Sequence, residues 1–191
     1  MLKSEAQWLA GRLALWPSHR GVIVNVGSSD LHFRTRIQPW IEGIVFKTAR
    51  DQGWRVIHQD LFPGMGIDVS GDLVSAKCLS QLRSFGIFGI ILSNVLEHVQ
   101  NREIFAKGIS GLLPPEGRAL ITVPHRFPYH ADPIDTGYRP NIAELLSLFP
   151  DFQMVESRII EAGRLPGLIL ANPGRVISVI SGTAKKVLAG F

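Results

Sequence analysis

One cysteine in 191 residues leaves no intrachain disulfide to form, which suits a reducing compartment. Cys78 falls in a helical stretch among apolar residues and reads as a buried structural thiol rather than a nucleophile. No segment reaches the roughly 18 apolar residues needed to span a bilayer. Charge is also scarce, at 19% of residues against 46% hydrophobic, as in a globular chain on the apolar side of the range. The formal net charge of +4 is spread along the chain rather than gathered into a patch, so no nucleic-acid partner is expected. The opening "MLKSEAQWLAGRLALW" lacks a small-residue cleavage site and an uninterrupted apolar core, so residues 1–17 read as an amphipathic helix and not a signal peptide. The expectation is a cytoplasmic protein. Glycine is missing where a nicotinamide dehydrogenase needs it, since "VGSSD" (26–30) offers one glycine where that fingerprint wants three.

What is present alternates between two periods. "VIVNV" (22–26), "IFGIILS" (87–93) and "RALITVP" (118–124) are near-continuous apolar runs, the pattern of strands covered on both faces of a parallel sheet. "WRVIH" (54–58) and "GIDVSGD" (66–72) add two more strands. Pro39 is expected to open a helix running to about Asp51. "LVSAKCLSQLRSFG" (73–86) has helical spacing and ends on glycine, and another helix follows the 87–93 strand through about Leu113. Asn141 and Glu144 have capping-box spacing before "LLSLF". "FQMVESRIIEA" (152–162) reads as a strand at the far side of the sheet, and "RVISVIS" (175–181) as a candidate last one. The sum is one α/β domain over 1–191 with a doubly wound, mostly parallel, Rossmann-like sheet. Its core lies in 22–161, and the tail 163–191 carries the weakest pattern.

In open α/β sheets ligands bind beyond the carboxyl ends of the strands. Polar residues gather there in series. Asn25, Gly27, Ser28, Ser29 and Asp30 end the first strand, Asp60 the second and Asp72 the third. Ser93, Asn94, Glu97 and His98 end the fourth, and His125, His130, Asp132 and Asp135 follow the fifth. A glycine after the first strand lets backbone approach a ligand, and an acid ending the second can accept both ribose hydroxyls. Taken singly, Gly27 is equally an ordinary turn glycine and either acid a solvated loop carboxylate.

"VIVNVGSSD", Asp60, "GIDVSGDL", and above all "GIILSNVLEHV" followed by "LLPPEGRALITVPH", resemble the class I S-adenosylmethionine-dependent methyltransferases over about Val22 to Ser157. That resemblance implies a seven-stranded sheet with the last strand antiparallel, S-adenosylmethionine as cofactor, and methyl transfer as the activity. It assigns Gly27, Ser28 and Ser29 to the methionine part of the cofactor, Asp60 to the ribose, Asp72 to the adenine, and Ser93 and Asn94 to the neighbourhood of the methyl group. Asp68 competes with Asp72, because 61–65 leaves no room for the family's usual helix. Two positions depart from the family: Asn25 stands in place of an acid and Ser29 in place of a second glycine. An amide accepts a hydrogen bond from the methionine ammonium without charge assistance, and serine suits the turn where φ stays negative.

"PHRFPYHADPIDTGYRP" (124–140) has the length and proline content of a functional loop. It offers His130 and His125 as general bases, and Tyr129, Asp132, Asp135 and Arg139 as acceptor-binding groups. The plainer alternative is a stiff surface loop with an internal Asp–Arg pair. Glu97 and His98 are adjacent, diverge by about 100° on a helix, and are read as orienting the helix start, with no metal expected. A small-molecule or glycan hydroxyl is the expected acceptor. The competing reading is a non-catalytic Rossmann-like scaffold. The tail from Gly163 either completes the sheet or packs on a second subunit of a homodimer.

Overall fold

Strands without a polar face must be covered on both sides, and the chain meets that demand with helices on each face of one sheet. The computed structural model describes residues 1–17, 21–129, 134–162 and 175–184. The strands are β1 (Val22–Val26), β2 (Arg55–Asp60), β3 (Val69–Ser70), β4 (Ile87–Ser93), β5 (Arg118–Pro124), β6 (Phe152–Ala162) and β7 (Arg175–Ala184). Their order is β3-β2-β1-β4-β5-β7-β6. β1 to β5 are mutually parallel, and β7 runs antiparallel between β5 and β6. The seven-stranded sheet with an antiparallel last strand is therefore as expected. The 175–181 segment belongs to β7, which completes the sheet by pairing its residues Ile177–Thr183 with Arg118–Pro124 of β5.

The two sides of β1, β4 and β5 feed separate cores. Val24, Val26, Ile90, Leu92, Ile121 and Val123 pack on the side of α3 (Ala76–Arg83), α4 (Arg102–Ser110) and α5 (Ile142–Ser147). Ile23, Ile91 and Leu120 pack on the side of α1 (Lys3–Leu13) and α2 (Lys47–Asp51). Each fully buried Leu or Ile contributes about 1.5–3 kcal/mol, so α1, with Leu9 and Leu13 fully buried, is part of the core. A Cβ on Gly89 would stand 2.4 Å from the Trp16 ring and 2.9 Å from Ile23 Cγ1. Glycine in mid-strand is what admits Trp16 to this face. Cys78 is buried as expected, and burial raises its thiol.

Three expectations change. The first helical segment does not wait for Pro39: π-helical turns span Phe33–Ile37 and Ile41–Phe46 before α2. The cap is Asp30, whose Oδ1 accepts from Phe33 N–H at 2.7 Å. Pro39 marks instead the interruption, where Gln38 takes φ −129° and ψ 69°, because the residue before proline is kept out of the helical region. The helix after β4 is likewise split, into a 3-10 turn at Leu96–His98 and α4. Its cap is Asn101, which accepts from Ile104 N–H, so Glu97 and His98 do not orient the helix start. The Asn141–Glu144 capping box forms as read, and no helix intervenes between β2 and β3. Among the described residues no helix is long and apolar enough to cross a membrane.

Candidate functional site

The strand order reverses between β1 and β4, which are neighbours in the sheet, and such a switch point opens a crevice at the carboxyl edge. Two turns meet there. Gly27 takes φ +64°, and a Cβ on it would lie 2.5 Å from Val95 Cγ2. Only glycine satisfies both the backbone and the contact. The turn after β4 takes the same conformation at Asn94, with φ +53°.

Ser29 has φ +54°, against the negative φ expected of a serine here. A left-handed residue with a Cβ costs roughly 1–2 kcal/mol, and a set of bonds holds it. Its N–H donates to Asp60 Oδ2 at 2.8 Å. Its carbonyl accepts from Ser28 Oγ at 3.0 Å and from Arg34 Nη1 at 2.5 Å. Arg34 is 1% exposed and also reaches the Gly66 carbonyl at 2.9 Å and Glu42 Oε1 at 3.0 Å. It ties the β1 turn to the β2–β3 crossover. Burial would raise the Glu42 carboxyl, but hydrogen bonds from Arg50 and Arg34 outweigh it and hold it low.

Asp60 ends β2 with its carboxylate against the β1 turn, and its Oδ1 accepts from Phe62 N–H at 3.3 Å. With Ser29, Asp30, Phe33, Phe62 and Ile67 it lines a depression of about 350 Å³. Asp68 and Asp72 do not line it. Asp68 Oδ2 accepts from His58 N–H at 2.7 Å, while Asp72 is exposed and accepts from Val74 N–H at 3.2 Å. Asn25 is buried on the α1 side, its Nδ2 lying 3.2 Å from His58 Nδ1.

Ser93 and Asn94 share a partner that sequence reasoning missed. Glu5 of α1 is fully buried, and its Oε1 accepts from Ser93 Oγ at 2.8 Å, Asn94 Nδ2 at 2.9 Å and Thr122 Oγ1 at 2.5 Å. The signal was there to read: Glu5 stands four residues before Leu9 and eight before Leu13, an acid on the apolar stripe of the helix. Arg34, His58 and Glu42 carried no comparable signal.

Glu97 is 1% exposed, and among the described residues its Oε2 has no hydrogen-bond partner. Burial pushes its carboxyl up to about 7. Its backbone carbonyl accepts from Thr136 N–H and Oγ1, both at 2.9 Å. His98 Nδ1 donates to the Ile134 carbonyl at 2.6 Å, so both residues anchor the 134–139 loop to the end of β4. Within that loop Arg139 grips Asp135 through both carboxylate oxygens, at 3.0 and 2.5 Å. The internal pair is thus formed, and each charge is committed to the other. His125 donates from Nδ1 to the Pro140 carbonyl at 2.8 Å, which leaves Nε2 as the basic nitrogen. Tyr129 is 71% exposed. His130 and Asp132 lie outside the described residues. Among the described residues no cluster of three His, Cys, Asp or Glu side chains stands ready for a metal ion.

No protein-family model and no curated protein sequence matches the chain. Solved structures do. A TehB-like S-adenosylmethionine-dependent methyltransferase from Corynebacterium glutamicum aligns at TM-score 0.54 and 19% identity, over 93% of this chain and 88% of that one. An S-adenosylmethionine-dependent methyltransferase from Mesorhizobium loti aligns at 0.56 and 16%, over 93% and 97%. A phosphoethanolamine N-methyltransferase from Haemonchus contortus, solved with S-adenosylhomocysteine, aligns at 0.55 and 9%, over 96% of this chain and 53% of that one. The fold of this chain is that of the class I S-adenosylmethionine-dependent methyltransferases.

Proposed function

We propose that the chain is an S-adenosylmethionine-dependent methyltransferase that works as one domain in the cytoplasm and acts on a hydroxyl of a small molecule or glycan. The observation that carries this reading is the Asp60 carboxylate, held against the left-handed β1 turn at the point where the strand order reverses. The residues present fit the cofactor. Gly27 leaves the backbone open at the crevice, and the depression beside Asp60 has the volume of a small-ligand site. Asp60 would take the ribose, Asp72 the adenine amino group, Asn25 the methionine ammonium, and Gly27, Ser28, Ser29, Ser93 and Asn94 the methionine part. When bound, the cofactor supplies a methyl group on a sulfonium.

Because displacement at a sulfonium is in-line, positioning of the acceptor can provide much of the rate. The 124–140 loop would do the positioning, through Tyr129 and Asp132, with Asp135 and Arg139 stiffening it as a pair. His125 Nε2, its tautomer set by the Pro140 carbonyl, is suited to take the hydroxyl proton, and His130 is the second candidate. A scaffold with a weakened cofactor site is the other reading. Asn25 in place of an acid and Ser29 in place of a second glycine favour it. The tightly supported Asp60–Ser29 contact favours the enzyme, since a decayed site has no need to hold the strain at Ser29.

Calorimetry with S-adenosylmethionine and S-adenosylhomocysteine tests the reading. Both should bind, and Asp60→Ala should weaken each by about tenfold or more, the loss of a charge-assisted hydrogen-bond acceptor. Absence of binding at millimolar nucleotide would overturn it.

A further inference from the structure

We propose that His58 is a positioning residue for the cofactor: by holding the Asn25 amide nitrogen it presents the amide oxygen as the acceptor for the methionine ammonium. The proposal rests on the methyltransferase reading above. A carboxylate at position 25 would accept with either oxygen and would need no orienting partner. An amide has one acceptor, and the wrong rotamer offers an N–H to a cation. An amide at position 25 therefore needs something that fixes the flip.

His58 stands where that need arises. Asn25 and His58 are in register on neighbouring parallel strands, both are buried, and Nδ2 meets Nδ1 at 3.2 Å. An amide nitrogen only donates, so Nδ1 must carry a lone pair and the ring proton must sit on Nε2. The surroundings set that tautomer. Nε2 faces Glu42 Oε1 at 3.6 Å, beyond a hydrogen bond but close enough for the carboxylate to favour the proton on that side. Glu42 is in turn held ionised by Arg34 and Arg50. The Phe46 ring packs edge-on against the imidazole at 5.0 Å and limits its rotation.

The charged groups around His58 are Arg34, Glu42, Asp68 and Arg50. Burial and Arg34 outweigh the two acids and push the imidazole down to about 4, so it is neutral at neutral pH. A protonated ring would present N–H at both nitrogens, and Asn25 would have to turn its oxygen inward. Glu42, His58 and Asn25 thus form a line that ends in one choice, which amide atom is left for the ligand.

The test is calorimetry with S-adenosylhomocysteine on the full chain, using wild type, His58→Phe, Asn25→Asp and the double variant. His58→Phe should weaken binding by about tenfold in the wild-type background and by less than about twofold in the Asn25→Asp background, where either oxygen accepts. His58→Gln, whose side-chain oxygen can take the Asn25 N–H, should recover affinity to within about threefold of wild type. Nitrogen NMR of the ring near neutral pH should show Nδ1 without a proton. Equal weakening in both backgrounds would mark His58 as merely structural and overturn the proposal. So would unchanged affinity in His58→Phe, or a protonated Nδ1, while wild-type binding and its loss in Asp60→Ala leave the methyltransferase reading standing. No binding to wild type would overturn both.

Discussion

Replacing Glu97 by glutamine should change the pH dependence of stability with a sign that can be worked out beforehand. Glu97 is buried, and burial moves its carboxyl from the ordinary 4.5 up to about 7. The folded state therefore holds this proton more tightly than the unfolded state. The contribution is fully present below 4.5 and is lost as pH rises through about 7. At ~1.4 kcal/mol per pH unit the gap amounts to roughly 3 kcal/mol, as an order of magnitude. His58 works the other way. Burial and Arg34 move it from 6.5 to about 4, so its contribution is present above 6.5 and is lost as pH falls through about 4. Between 4.5 and 6.5 the contributions of these two groups oppose and largely offset each other. Glu97→Gln removes one of them. The variant should gain on wild type as pH rises from 4.5 to 8, by up to about 3 kcal/mol, and should by itself lose stability toward acid. At the acid end it should be slightly the less stable protein, because the new amide N–H groups find no partner among the described residues at the Oε2 position, a cost of about 1 kcal/mol. Urea unfolding at a series of pH values measures the difference directly. A Glu97→Gln difference that stays constant across this range would refute the reasoning.

Two further substitutions probe the carboxyl edge of the sheet. Glu5→Ala leaves Ser93, Asn94 and Thr122 without their common acceptor and should cost about 2–4 kcal/mol by urea unfolding, with Glu5→Gln recovering part of it; a loss below about 0.5 kcal/mol would mean that α1 is not fastened there. Ser29→Gly relieves a left-handed backbone at the cost of unfolded-state entropy, and should raise stability by about 0.5 kcal/mol. A lower melting temperature for Ser29→Gly would refute the strain at this turn, because the bonds at residue 29 run to its backbone N–H and carbonyl, which glycine keeps.

The sheet was readable because its signal is local and redundant. β4 and β5 begin and end where their apolar runs do, since a strand buried on both faces cannot include a polar residue without cost. β7 was legible as a run, but its place between β5 and β6 was not. Antiparallel insertion depends on a connection whose path no residue pattern encodes; the resemblance implied the antiparallel last strand but not its place in the order. The helix boundary at Pro39 was misread for a definable reason. Proline at a first turn and proline at a break look alike in sequence, and Asp30, nine residues upstream, made the cap.

The site was legible only along the chain, not across it. Gly27 and Asp60 were picked out because each ends a strand, and the bond from Ser29 N–H to Asp60 follows from the parallel pairing of β1 with β2. Arg34 could not be seen this way. A basic residue near an exposed turn is normally solvated, yet Arg34 is buried because four oxygens from three segments, Ser28, Ser29, Glu42 and Gly66, converge on its guanidinium. His58 was hidden by the opposite effect, an ordinary strand residue until pairing sets it beside Asn25. Glu5 lies between these cases, its helical spacing readable and its partners not. Charged groups become legible where burial breaks a local period, and stay invisible where only tertiary pairing supplies their partners. The departure at Asn25, which taken alone reads as the loss of a charge, is for that reason inseparable from a histidine 33 residues away.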